Sequence, residues 1–275
     1  MRGSSVRAFA LTALLSLLVA LTAFPFYWAV VASLTPEAAL FREPSIWPRQ
    51  LVLDHYRALF DERDFLVPIR NSLIVAGATT LLCVTVGALA AYALARMRFR
   101  GRGAILALIL AVTMFPQISI VSPLYMLLRW LRLIDTYPGL ILPYLTFAMP
   151  LAVWLLVGFF RQLPADLEEA ALVDGASRWQ SFTKVILPLS VPGLATTAIL
   201  TFIYCWNEFL FALSFTLGPD RHTAPVAIAL FRGQYQVPWG QILAAAVVAT
   251  APVAVVVLAF QRRIVQGLTA GAVKG

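Results

Sequence analysis

The chain has 275 residues, 61% of them hydrophobic and only 12% charged, with a net charge of +8. Soluble domains carry roughly 25% charged residues, so this composition excludes a water-soluble core wrapped in charge and points to lipid as the solvent. The excess of base does not indicate a nucleic-acid partner, because the arginines stand between apolar runs and do not form one basic face.

Six apolar runs are long enough to cross a bilayer as helices, near residues 8–32, 71–95, 104–128, 138–160, 191–215 and 241–261. The first follows Arg2 and Arg7, but it is too long for a signal peptide and no small-residue cleavage site follows it, so it reads as a retained helix. The third contains Pro116 and Pro123 and is expected to kink and to end as a short surface helix over Leu124–Ile134. The whole chain, 1–275, reads as a single transmembrane domain: an all-α integral membrane protein of six transmembrane helices.

Arginine and lysine set the orientation. The short stretch Arg96–Arg102 holds four arginines and no acid, and it is expected in the cytoplasm together with both termini. Three polar regions then remain: 33–70 outside, 161–190 inside and 216–240 outside. Cys83 and Cys205 lie within apolar runs without metal-ligand spacing, so neither a metal site nor a disulfide is expected.

The inner segment 161–190 reads RQLPADLEEAALVDGASRWQSFTKVILPLS. Asp166 and Glu169 have capping-box spacing after Pro164, and the acids of the first turn suit the positive end of a helix. Gly175 is a natural stop, since glycine takes the left-handed conformation cheaply. Ser177 and Gln180 open a second short helix through Ile186, and Pro188 and Pro192 turn the chain into the next span. By residue chemistry alone this is a helix-turn-helix on one membrane face. The paired acids are explained by capping and need no catalysis.

Within that segment, Glu169-Ala170-Ala171, then Asp174-Gly175, then Val185 to Leu187-Pro188 resemble the EAA motif of the permease subunits of ATP-binding-cassette (ABC) importers. The motif departs from its usual form only in having Val185 for isoleucine. The likeness extends over AAYALAR (90–96), TMFPQISIVSP (113–123), PGLILP (138–143), WNEFLFAL (206–213) and the 261–275 tail, which resemble the maltose- and trehalose-type carbohydrate branch. It implies the type I importer architecture. It also implies a coupling loop at 161–190 that docks on an ATPase subunit dimer, a second permease subunit, and a sugar substrate. The 262–275 tail would reach between the ATPase subunits. The outer loop 216–240 would face an extracytoplasmic solute-binding protein, with Arg232, Gln234, Tyr235 and Trp239 as contacts. The setting implied is a bacterial or archaeal plasma membrane.

The chain carries no Gly-Lys pair of a phosphate-binding loop and no HExxH, so it is expected to be non-catalytic and to bind no cofactor, with ATP and Mg held by the partner ATPase. Glu208 is an acid inside an apolar run, a costly placement that marks a candidate solute path with Tyr204, Trp206, Asn207 and Tyr125. The alternative is an ion-coupled secondary transporter or channel subunit, which calls for several acids or histidines at the midplane; Glu208 stands alone.

Overall fold

The computed structural model describes residues 2–42, 46–231 and 237–270, without the side chains of 2–6, 8 and 262–270. Every regular element among the described residues is helical. In chain order these are α1 (Arg2–Ser33), α2 (Glu37–Leu40), α3 (Asp54–Asp61), α4 (Leu66–Arg96), α5 (Arg102–Ala111), α6 (Gln117–Trp130) and α7 (Tyr137–Gln162). They continue as α8 (Asp166–Val173), α9 (Arg178–Ser181), α10 (Leu187–Leu189), α11 (Val191–Trp206), α12 (Leu210–Phe215), α13 (Ala224–Ala229) and α14 (Trp239–Ala270).

Among the described residues four helices are long and apolar enough to cross a membrane: Phe9–Ser33 of α1, α4, α7 and Trp239–Gln261 of α14. At 1.5 Å per residue the 31 residues of α4 span roughly 46 Å, more than the ~30 Å hydrocarbon layer. Two bent helix pairs are apolar enough only when taken together, and the six expected runs are reached if each pair counts as one span.

The first pair, Arg102–Met114 with Gln117–Trp130, turns by 95°. Its break lies at Phe115 and Pro116, whose ψ values of 128° and 120° are extended. A residue before proline is pushed out of the helical region by the ring, and that ends the helix. Pro123 sits inside an unbroken α6. The helix expected over Leu124–Ile134 therefore starts at Gln117 and ends at Trp130. The second pair, Arg178–Leu189 with Val191–Trp206, turns by 74° at Ser190. The expected run to residue 215 ends at Trp206, because residues 207–209 leave the helix before α12 begins.

Backbone contacts divide the chain into two compact units. One joins the chain up to Leu66 with Ile228–Ala251; the other joins Val67–Ala227 with the chain from Pro252 onward. In the first unit the described side chains of α1 are exposed over most of their length, and among them only Val31, Ala32 and Ser33 are buried, as an apolar helix facing lipid would show. Leu59 and Phe65 form the buried centre of its polar part. The Glu37 carboxylate accepts the Trp239 and Gly240 N–H groups, both at 2.9 Å, and so caps α14.

The second unit is built around α7, which buries Leu140, Tyr144, Phe147, Ala152, Leu156 and Phe160. One core joins α7 to Val75, Cys83, Leu128, Phe211 and Phe215. The other joins it to Tyr92 of α4 and to Phe182 and Ile186, which follow α9. That second core anchors the base of the 161–190 segment. Cys83 and Cys205 are both free and buried.

Candidate functional site

The segment 161–190 is two short helices with a glycine bend, as its sequence indicates, but it starts differently. The Asp166–Glu169 capping box is not formed. Ala165 is already helical (φ −67°, ψ −33°) and its carbonyl receives the N–H groups of Glu168 and Glu169. Pro164 thus occupies the place before the helix, and Asp166 stands inside the first turn, where it cannot cap. The acids of that turn still meet the positive end of the helix.

The end of α8 is as expected. The Gly175 N–H donates to the Leu172 carbonyl at 3.1 Å and the Ala176 N–H to the Ala171 carbonyl at 3.0 Å. These two bonds close a Schellman motif, which needs a left-handed residue between them, and Gly175 has φ +84°. The second cap is also present. The Gln180 N–H donates to Ser177 Oγ at 3.2 Å and the Ser177 N–H donates to Gln180 Oε1 at 2.8 Å. After α9 the chain widens into a π-helical turn over Phe182–Ile186, with Phe182 and Ile186 buried.

Glu169, Ala170, Asp174, Gly175 and Pro188 are exposed, and Ala171 and Leu187 are half-buried. Beside them Leu167, Val173 and Trp179 expose apolar side chains, Val173 by 85%. Isolated exposed apolar groups are common; several around one exposed bend make a surface suited to a partner.

The neighbouring Glu168 behaves in the opposite way and is buried. Tyr92 Oη donates to its Oε1 at 2.6 Å, and Arg96 Nε lies 3.9 Å from its Oε2. Arg96 also donates from a terminal nitrogen to the Leu163 carbonyl at 2.6 Å. A pocket of about 570 Å³ opens next to this contact, lined by Arg96, Arg98, Glu168, Glu169, Leu172 and Arg178 among others. Sequence reasoning missed Tyr92 and Arg96 as site residues. The available signal was their four-residue spacing, which puts both on one face of α4 among small residues.

The α11–α12 break gathers the other candidates. Both Glu208 oxygens are taken by backbone, with Phe211 N–H at 2.8 Å on one and Ala212 N–H at 3.1 Å on the other. The buried acid is therefore an N-terminal cap for α12. Trp206 is buried with its ring 5.6 Å from that of Phe202. Tyr204 is half-buried, and its hydroxyl accepts from Gln117 Nε2 at 2.8 Å. Tyr125 is half-buried with its ring 6.4 Å from Phe215. Asn207 is exposed, and its amide donates back to the Ile203 carbonyl.

In the outer loop, Arg232, Gln234 and Tyr235 lie outside the described residues, as do the side chains of the 262–275 tail. Trp239 is 46% exposed at the start of α14. Residues 217–222 are fixed by buried Asn71, whose amide donates to the Asp220 and His222 carbonyls, and by Asp135, which accepts the Leu217 N–H at 2.9 Å. Burial holds the His222 imidazole below its ordinary pKa, and the Asp135 carboxylate acts the other way.

Residues 83–270 match the family described as the binding-protein-dependent transport system inner membrane component. The chain is 48% identical over 262 residues to the trehalose transport system permease protein SugB of Mycobacterium tuberculosis, covering 94% of this chain and 95% of that one. It is 44% identical over 254 residues to the trehalose/maltose transport system permease protein MalG of Thermococcus litoralis, covering 92% and 91%. Among solved structures, a bacterial ABC transporter that imports the acidic polysaccharide alginate superposes with a TM-score of 0.80 at 22% identity, covering 95% of this chain and 98% of that one. That last likeness is one of fold.

Proposed function

From the premise that the chain belongs to the binding-protein-dependent transport system inner membrane components and is a permease of the sugar-importing ABC type, we propose that it is one of two permease subunits of an importer for a disaccharide such as trehalose or maltose. A separate ATPase dimer drives the transport. The exposed bend of α8, Gly175 and α9 is its docking surface. Glu169, Ala170, Ala171, Asp174, Gly175, Leu187 and Pro188 form the patch that receives force. The observation that carries this reading is the contrast within one segment: its base is anchored in the core through Phe182 and Ile186, while its tip leaves small residues and apolar side chains uncovered.

The rest of the machine follows from that docking. Both termini and Arg96–Arg102 face the cytoplasm, and the chain sits in the plasma membrane. Loop 216–240 faces a solute-binding protein that delivers the sugar. The chain holds no nucleotide; ATP and Mg belong to the partner ATPase. Binding of ATP there shifts a two-state equilibrium of the spans, with the bend as the lever. An ion-coupled mechanism finds no support in Glu208, whose oxygens are both engaged by the α12 backbone.

The test is to purify the chain with its neighbouring subunits and cross-link a Glu169→Cys variant. A cross-link to an ATPase subunit, together with uptake of labelled trehalose or maltose into proteoliposomes that ceases without ATP, is the expected result. Uptake that persists without any ATPase subunit overturns the reading.

A further inference from the structure

We propose that Tyr92 and Arg96 are positioning residues for energy coupling: they clamp the α7–α8 connector onto the last turn of α4, so that α4 moves with α8 as one body. The inference rests on the reading of α8 as the docking helix and adds the route by which force leaves it.

The geometry is specific. Tyr92 and Arg96 stand one turn apart at the end of α4. Tyr92 holds Glu168 in the first turn of α8, and Arg96 holds the Leu163 carbonyl at the start of the connector. The Glu168–Arg96 pair is buried, with side chains 10% and 9% exposed. Separating such a pair strands two charges away from water, which is strongly unfavourable. The N-terminal side of α8 is therefore joined rigidly to α4. Its C-terminal side continues through the left-handed bend at Gly175 and then through a π turn. Tyr92 also touches Phe182 beyond that bend, with ring centroids 4.7 Å apart. That contact is apolar, whereas the hydroxyl–carboxylate bond is directional. A push on the exposed face of α8 is thus delivered first to α4, the longest single element of its unit, and only secondarily to α11.

The experiment uses the full complex with its ATPase, second permease and binding protein in proteoliposomes, and reads sugar taken up per ATP hydrolysed. Tyr92→Phe removes one hydroxyl and little volume. The ratio is expected to fall roughly tenfold, the scale of one hydrogen bond to a charged group, while the amount of assembled complex stays normal. A contact that served stability alone would lower assembly and leave the ratio intact, and that outcome overturns the proposal. In the Tyr92→Cys, Glu168→Cys pair the ratio is expected to be low, and bridging the two thiols with a short bifunctional reagent is expected to restore it. Stalled uptake after bridging, or a normal ratio before it, also overturns the proposal, since α8 would then part from α4 during the cycle or never need it. If the Glu169→Cys variant cross-links no ATPase subunit, the docking reading falls and this inference with it. If it does cross-link and Tyr92→Phe transports normally, only this inference falls.

Discussion

Gly193, at the start of α11, lies directly against the ring of Phe159 on α7, and the close approach leaves no room for a side chain there. A Cβ at this position would overlap the ring carbons of Phe159. The contact comes just after Ser190, where the chain turns by 74° into α11. It therefore fixes where the span leaves the bend.

Gly193→Ala is expected to lower the stability of the detergent-solubilised chain by about 1–3 kcal/mol, the usual effect of forcing an extra carbon into a packed site. Thermal unfolding followed by size-exclusion fluorescence measures it. Phe159→Ala in the same chain removes the obstacle, so the double variant should recover much of the loss attributable to the clash. Equal losses with and without the ring would mean that the glycine serves backbone freedom and not close packing.

At Gly175 the constraint is of the other kind. Nothing lies within 4 Å of a Cβ built there, but φ is +84°. Substitutions should therefore rank by tolerance of the left-handed region: asparagine mild, alanine costing about 1 kcal/mol, proline incompatible. Proline also removes the N–H that bonds Leu172. Gly175→Pro is expected to reach the membrane and assemble, but the complex that contains it is expected to hydrolyse ATP without moving sugar. Parallel ATPase and uptake assays decide; normal uptake in that variant would count against the bend as a lever.

Much of this was readable along the chain, and what was not is non-local. The apolar runs, the Gly175 stop and the Ser177–Gln180 cap depend on neighbours in sequence, and all are present in the structure. The place where the third run breaks depends on Phe115 preceding Pro116, a constraint that outranks the mere presence of Pro123. The capping bonds of Glu208 were not legible, because an acid in an apolar run reads first as a functional charge. The break at Asn207–Phe209 turns it into a cap. The partnership of Tyr92 with Glu168 spans 76 residues, so the four-residue spacing of Tyr92 and Arg96 marks a shared face of α4 but not the partner it meets.

Glu208 offers a direct comparison of cap against solute contact. Glu208→Ala leaves the Phe211 and Ala212 N–H groups without their acceptor. The expected cost is roughly 0.5–2 kcal/mol of stability, as for other lost helix caps. The KM for sugar should be unchanged in the fraction that assembles. A raised KM with unaltered thermal stability would mean that Glu208 contacts the solute instead of serving the cap.

The start of α14 makes the same test possible in the other unit, without transport as a readout. Glu37 accepts two N–H groups from residues 202 and 203 positions away, and the ring of His55 packs where a Gly240 side chain would stand. His55 is itself tethered through Nε2 to the Thr35 carbonyl at 3.0 Å. Arg63 adds a bond to Gln241 at 2.7 Å and lies 4.5 Å above the Phe231 ring. The segment after α1 thus grips the chain on both sides of residues 232–236. Glu37→Gln keeps one acceptor oxygen but loses the charge that favours the helix N-terminus, so it should cost less than Glu37→Ala. Limited proteolysis should cut the alanine variant faster near residue 239 than the wild type, with the glutamine variant in between. Identical cleavage rates in all three would mean that packing by His55 and Arg63, and not the carboxylate, holds α14 in place.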